Sequence, residues 1–279
     1  MKRGVLAIAA FVCALGSLSA QPPAQQGPPR IQTLIITGQN GHDWKGTTPL
    51  LRKILEDTQK FEVRVTEEFR GAGPETLAPY DLVVVNYFER GRPEFRWGDR
   101  ADNALADFVR NGKGLVVYHF SMAAFDGWAD YEKMSGGNWR PMNGHHSARH
   151  DFTVDIKDPD HPITRGLKAS FPQTNDELYG NLRWQPQGSY HVLATAYDDH
   201  ELYKKSRTDG KAPQPLEGAG LHQPMLWTVN FGKGRVFTTA LGHDVETVQT
   251  PAFVVTFARG AEWAATGNVT QPIPPAMAK

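Results

Sequence analysis

Four short stretches carry residue types able to move protons or hold a metal: Gly41-His42-Asp43, Phe88-Glu89-Arg90, His119-Phe120-Ser121 and Gly242-His243-Asp244. Three of the four present a histidine. Imidazole gives and takes protons near neutral pH and ligates divalent ions, and a neighbouring carboxylate supplies a base or a charge. Two further stretches belong with them. Gly144 to His150 is a glycine-flanked loop in which His145 is placed to reach a shared crevice, and Asp176-Glu177-Leu178-Tyr179 sets adjacent carboxylates beside a phenol. No HExxH or comparable short ligand spacing is present, so any metal site has to assemble from distant segments. The only cysteine is Cys13, in the N-terminal segment, which leaves the rest of the chain without a thiol nucleophile, a thiolate ligand or a disulfide.

The elements that must position these residues follow from periodicity. Thr33–Thr37 reads as a strand leading through Gly38–Asp43 to a helix predicted over Pro49 to about Gln59, with Thr48 as its N-cap. A strand is predicted over Phe61–Thr66. Asp81–Tyr87 and Gly114–His119 are apolar runs of the kind buried on both faces of a parallel sheet, and between them Ala101, Leu105, Phe108 and Val109 mark a helix ending at Asn111-Gly112. The second half is richer in strands: Phe152–Ile156, Tyr190–Tyr197, and a hairpin of Met225–Asn230 and Arg235–Leu241 around Gly232-Lys233-Gly234, closed by a helix over Pro251–Ala265. The expected fold is α/β, a flavodoxin-like, doubly wound, mostly parallel sheet with a β-rich second half. In such sheets ligands sit beyond the carboxyl ends of the strands, where the histidine-bearing stretches fall.

Residues 1–20 have the layout of a secretory signal peptide: Lys2 and Arg3, an apolar run from Val5 to Leu15, then small residues at Ser17, Ser19 and Ala20. A Pro/Gln-rich linker is expected over residues 21–30, one domain over 31–268 and a flexible tail over 269–279. These features predict an exported protein, periplasmic or extracellular, with no stable membrane insertion after cleavage. Lys plus Arg and Asp plus Glu are 30 each among 279 residues, and no basic run stands out. Nucleic acid and anionic membranes are therefore not expected partners, and a small neutral ligand is. Trp44, Trp97, Trp128, Trp139 and Trp184 fall in predicted loops, where flat rings stack on sugar faces, whereas Trp227 and Trp263 read as core. The DPDHPITRGL segment from Asp158 reads as a rigid turn in which the His161 ring bonds to backbone.

His42-Asp43, the strand ending at His119, the DPDHPITRGL segment, Asp176-Glu177-Leu178-Tyr179, and Gly234-Arg235-Val236-Phe237 leading into Leu241-Gly242-His243-Asp244 resemble the ThuA-like, or trehalose-utilisation, family, in order from about Leu34 to Gly267. The resemblance implies a class I glutamine amidotransferase-like fold and a place in bacterial sugar catabolism, with trehalose or 3-keto-disaccharides as the substrate class. Amidotransferases of this fold keep a cysteine on the tight turn after a central strand; here that turn is Tyr118-His119-Phe120-Ser121. Glutamine hydrolysis through a thioester is excluded.

The resulting expectation is an enzyme, a lyase, isomerase or hydrolase, acting on a disaccharide or 3-keto-glycoside by histidine and carboxylate acid–base chemistry. His119, His243 and Glu177 are the expected catalytic groups and also the candidate ligands of a divalent metal such as zinc. His42, Asp43, Trp44, His145, Asp176, Tyr179 and Asp244 are the expected substrate contacts. No nucleotide cofactor is expected. The competing reading is a non-catalytic sugar-binding or scaffolding domain of the cell envelope, and a third, weaker one is a hydrolase using Ser121, which lacks a G-x-S-x-G elbow.

Overall fold

The structure is a computed structural model that describes Met1 and residues 29–203 and 216–279. The predicted leader, apart from Met1, and most of the predicted linker lie outside the described residues. The first half alternates strand and helix: β1 (Ile31–Gly38), α1 (Trp44–Asp57), β2 (Phe61–Thr66), α2 (Pro74–Leu77), β3 (Leu82–Tyr87), α3 (Asp99–Arg110) and β4 (Gly114–Tyr118). After α4 (Ala129–Ser135) come β5 (Gly137–Asn138), β6 (His145–His146), β7 (His150–Ile156), β8 (Ser170–Asp176), β9 (Tyr179–Gly180), β10 (Arg183–Trp184) and β11 (His191–Tyr197). The hairpin β12 (His222–Phe231) and β13 (Gly234–Thr239), then α5 (Pro251–Thr266), complete the order.

Among the described residues nine strands form one sheet in the order β2-β1-β3-β4-β13-β12-β11-β7-β8. Strands β2, β1, β3, β4 and β13 are mutually parallel, and the remaining four join antiparallel. The expected α/β architecture with a β-rich second half is present. All six residues of β3 and all five of β4 are buried, which is why these runs are apolar without alternation. The sheet order turns back between β1 and β3, so the loops after β1, β4 and β13 open on neighbouring parts of the sheet's carboxyl edge. Among the described residues no helix is long and apolar enough to cross a membrane.

Two expectations about the elements are corrected. Helix α1 begins at Trp44, not at Pro49, because Asp43 caps it: the carboxylate accepts from Gly46 N at 3.0 Å. Pro49 is left inside the helix, where its missing N–H deprives only the nearby Lys45 carbonyl of a partner. The C-terminal stretch is not a free tether. Glu262 accepts from Thr270 and Gln271, Arg259 donates to Gln271 O at 2.8 Å, and Lys168 N and Lys279 N bond Met277 O and Gly166 O across an antiparallel bridge between Leu167 and Ala278. Met277 and Val269 are buried there, so the proline-rich composition conceals a few apolar anchors. Trp97 also departs from expectation, since it is buried against Phe69, Tyr87 and Phe125, whereas Trp227 and Trp263 are core as expected.

The DPDHPITRGL segment is the rigid turn its prolines imply. Asp158 accepts from the N–H groups of Asp160 and His161, His161 Nδ1 accepts from Ile163 N at 3.2 Å, and Arg259 donates to the carbonyls of Ile163, Pro162 and Arg165. Burial holds His161 down at about 4 from an ordinary 6.5. The unfolded chain therefore binds the proton first as pH falls, so the stability this residue contributes is full above about 6.5 and is lost between about 6.5 and 4. We expect the melting temperature to fall across that window and to fall less in His161→Asn, whose amide oxygen can still accept from Ile163; equal slopes would show that His161 is not responsible.

Candidate functional site

His42 lies in the loop after β1, His119 opens the turn after β4, Glu177 follows β8, and His243 lies in the loop after β13. Together they bring one ligand atom each to within 4.8 Å of one another. Glu177 Oε2 is the centre of the group, 2.9 Å from His243 Nδ1, 3.6 Å from His42 Nε2 and 3.8 Å from His119 Nε2. Its other oxygen, Oε1, lies 3.1 Å from Nδ1 of the half-exposed His146.

Each side chain is fixed by its local backbone. His119 has a φ of +46°, a left-handed conformation that an L-residue other than glycine adopts only when its surroundings impose it. Its Nδ1 lies 2.7 Å from Ala240 O, which can only accept, so Nδ1 carries the proton and Nε2 keeps its lone pair, to which Tyr179 Oη donates at 2.8 Å. Burial, reinforced by the neighbouring His42 and His243 and opposed by Glu177, holds His119 well below its ordinary range, so the ring is neutral. Burial resists ionisation of Glu177, yet the imidazoles of His243, His42 and His119 outweigh it and hold the carboxyl well below the usual carboxylate range. Tyr179 is pushed well above 10 by burial and by the nearby carboxylates, and so keeps its proton.

His243 is set by a carboxylate. Asp176 is fully buried, and its oxygens accept from Glu177 N (2.9 Å), His243 N (3.0 Å), Gly242 N (2.7 Å) and Gln173 Nε2 (2.7 Å). Burial raises its carboxyl against the pull of these four donors. Asp176 is thus a brace for the loop rather than the substrate contact expected. Gly242 has a φ of +102° and meets the rings of Phe253 and Tyr118 so closely that no side chain fits.

The remaining expected contacts are dispersed. Asp43 is spent on the cap of α1, and Trp44, half-buried, begins that helix. Asp244 caps the turn at Thr247 and pairs with Arg149. His145 is drawn to the fully buried Asp198, Nε2 to Oδ2 2.6 Å, and Tyr203 Oη donates to the same carboxylate. Ser121 is buried with its hydroxyl accepting from Tyr87 N, which removes it as a nucleophile.

Sequence reasoning missed three supports. Asn40 Oδ1 accepts from His42 N at 3.1 Å and lies 3.2 Å from His42 Nδ1, which turns Nε2 to the cluster; Asn40 Nδ2 in turn donates to Asn86 Oδ1. Arg140, whose side chain is 1% exposed, donates to the carbonyls of Met122, Ala123 and Ala124 and pairs with Glu132, riveting the turn after His119 to the loop that leads to His145 and His146. Outer partners of this kind typically account for about 10–100-fold in metal affinity. Asn40→Ala is expected to weaken divalent-ion binding by that order, and Asn40→Asp, which still accepts from Nδ1–H, to restore most of it; calorimetric titration distinguishes this from an unchanged affinity.

The donor set fits a divalent ion. Among the described residues four buried side-chain polar atoms lack a hydrogen-bond partner, and two of them are Glu177 Oε2 and His243 Nδ1. They lie 2.9 Å apart in an ion-pair contact outside hydrogen-bond geometry, close enough for one divalent ion to be shared between them. Metal–ligand bonds of about 2.0–2.2 Å at a tetrahedral ion separate ligand atoms by roughly 3.4 Å, which falls inside the 2.9–3.8 Å over which Glu177 Oε2 meets the three imidazoles. A buried His/Glu cluster able to hold a metal is therefore part of this fold, and His42, expected as a substrate contact, belongs to it.

Residues 32–264 match the ThuA family, described as trehalose utilisation. A ThuA-like protein from Parabacteroides merdae ATCC 43184 superposes with a TM-score of 0.75 at 29% identity, over 90% of this chain and 95% of that one. A second, from Bacteroides uniformis ATCC 8492, gives 0.64 at 19% identity over 89% and 98%. A β-galactosidase from Rahnella sp. R3 shares the fold alone, with a TM-score of 0.53 at 15% identity over 88% of this chain and 33% of that enzyme. A search of the curated proteins gave no match.

Proposed function

The chain belongs to the ThuA, or trehalose-utilisation, family, and on that footing we propose that it is a divalent-metal-dependent enzyme of carbohydrate catabolism acting on a disaccharide or 3-keto-glycoside. The observation that carries the proposal is the pair of unpartnered buried atoms, Glu177 Oε2 and His243 Nδ1, inside a group that also includes His42 and His119. Three imidazoles and one carboxylate suit zinc or a related ion, with His42 Nε2, His119 Nε2, Glu177 Oε2 and His243 Nδ1 as the ligand atoms. A bound ion would supply Lewis-acid polarisation of a carbonyl oxygen or a water, which would have to enter as a further ligand beside these four.

The chain's own groups provide the proton chemistry. A ketone acidifies the C–H beside it, so a base can take that proton as the C–O bond to the leaving sugar breaks, and the departing oxygen takes up a proton in turn. Tyr179 holds a proton at Oη under all ordinary conditions and has two partners to choose between, His119 and Glu177. It can therefore release His119 Nε2 to a ligand role and serve as a donor. His146, at the solvent side of Glu177, is the group placed to exchange protons with water. The leader-like residues 1–20 support export.

Protein loaded with zinc, manganese or cobalt is expected to convert 3-keto-glycosides in a reaction stopped by chelation and restored by metal. Absence of turnover with every metal, together with binding of an unchanged sugar, would replace the enzyme reading by that of a sugar-binding domain.

A further inference from the structure

A cleft of about 280 Å³ opens where the carboxyl ends of β1 and β2 meet the first turns of α1, outside the His/Glu cluster. Trp44 and Val65 give it apolar walls, Lys45, Arg52 and Glu67 line it with donors and an acceptor, and Thr37 and Thr48 contribute their side of the lining from the buried interior. Trp44 presents an aromatic face that already attracts a cation, with Lys45 Nζ 5.3 Å from the ring centroid. The polarised C–H face of a pyranose is attracted by the same quadrupole, and the ammonium, on an exposed side chain, can move aside to hydrogen-bond hydroxyls. Arg52 is steadied by Glu56, 3.0 Å from its Nε. Apolar walls with a few convergent polar groups of both kinds recognise a polar but uncharged ring, and the volume, near the lower end for ligand pockets, suits one ring.

A continuous chain of buried hydrogen bonds leaves this cleft. Thr37 Oγ1 and Thr48 Oγ1 are 2.7 Å apart, Asn86 Nδ2 donates to Thr48 Oγ1 at 3.0 Å, Asn40 Nδ2 donates to Asn86 Oδ1 at 3.3 Å, and Asn40 Oδ1 is 3.2 Å from His42 Nδ1. Every side chain between the cleft and His42 is less than a tenth exposed. Such a network has few alternatives to its present arrangement, because breaking one bond leaves a buried group unsatisfied. We propose that the Trp44 cleft is an accessory binding site for a single neutral pyranose ring, connected to the ligand His42 through Thr48, Asn86 and Asn40. It rests on the sugar-directed reading above, and it adds a second sugar site, outside the cluster, whose occupancy is felt at His42.

The test is calorimetric titration of the full chain with methyl α-D-glucoside, followed by zinc titration with and without the saturating glycoside. Wild-type protein is expected to bind the glycoside and to change its zinc affinity by about threefold or more when it is present. Trp44→Ala should lose at least about tenfold in glycoside affinity while binding the same amount of zinc, which shows that it is folded. Asn86→Ala, a change on the hydrogen-bonded path but outside the cleft lining, should bind the glycoside and lose the effect on zinc. Glycoside binding undiminished in Trp44→Ala, or absent from wild type, overturns the proposal even where chelator-sensitive turnover persists. Glycoside binding that depends on Trp44 but has no effect on zinc in wild type overturns the connection to His42. Trp44-dependent binding in a protein without turnover leaves the cleft standing and overturns only the enzyme reading.

Discussion

Glu177→Ala is expected to abolish divalent-ion binding and, with it, turnover. Glu177 is the only anionic donor of the four, and its Oε2 lies within 4 Å of all three imidazoles. Without it the ion would face three neutral rings and no compensating charge. The loss of affinity should exceed the roughly 10–100-fold typical of outer-shell partners, and activity should fall by about 10³-fold or more, since the polarisation of the substrate goes with the ion. Glu177→Gln, which keeps the shape and removes the charge, should be nearly as damaging. Metal analysis after dialysis, read beside a melting curve that confirms folding, makes the comparison. A Glu177→Ala protein that retains one ion per chain would move the ion elsewhere.

The second large effect is on stability. Asp176→Ala leaves the N–H groups of Glu177, Gly242 and His243 and the Gln173 amide without their acceptor in a fully buried setting. The penalty for stranding several buried donors is about 3–5 kcal/mol. Asp176→Asn should recover little, because its NH2 would confront N–H groups that also donate. Both variants should show a lower urea midpoint, and both should bind metal more weakly, since the backbone that presents Glu177 and His243 is held by this one carboxylate. Near-normal midpoints would mean that the loop is held by Tyr118, which donates to Gly242 O, and by packing alone.

Particular residues show how much was legible in advance. The three histidines could be placed together because each follows an apolar strand run whose order in a parallel sheet is constrained, and TLIIT, GLVVYH and RVFTTAL did become β1, β4 and β13. Glu177 was found by its chemistry and its neighbours. His42 was assigned to substrate rather than to the cluster because no spacing reveals which ring nitrogen points where; that depends on Asn40, an outer partner from the same loop. One signal for the network was present and unused: Asn86 is an amide inside the apolar run DLVVVNY, and a buried amide in a central strand must have partners. Asp176 and Asp43 illustrate what residue type leaves open. A carboxylate near a site is chemically suggestive, but one gives its oxygens to backbone N–H groups and the other to a helix end, and neither fate is written in residue type. His145 was lost to Asp198, a partner 53 residues away that no local pattern indicates.

His42, His119, Glu177 and His243 are proposed to hold one divalent ion. Titration of the metal-free chain with Co²⁺, followed by its visible absorption, tests this most directly, because intensity and position of the bands report coordination by nitrogen and oxygen donors at low coordination number. Saturation at one ion per chain, displacement by zinc, and loss of the bands in both His243→Ala and Glu177→Ala are expected. Absence of a saturable spectrum in wild type, or an undiminished one in either variant, would contradict the shared site.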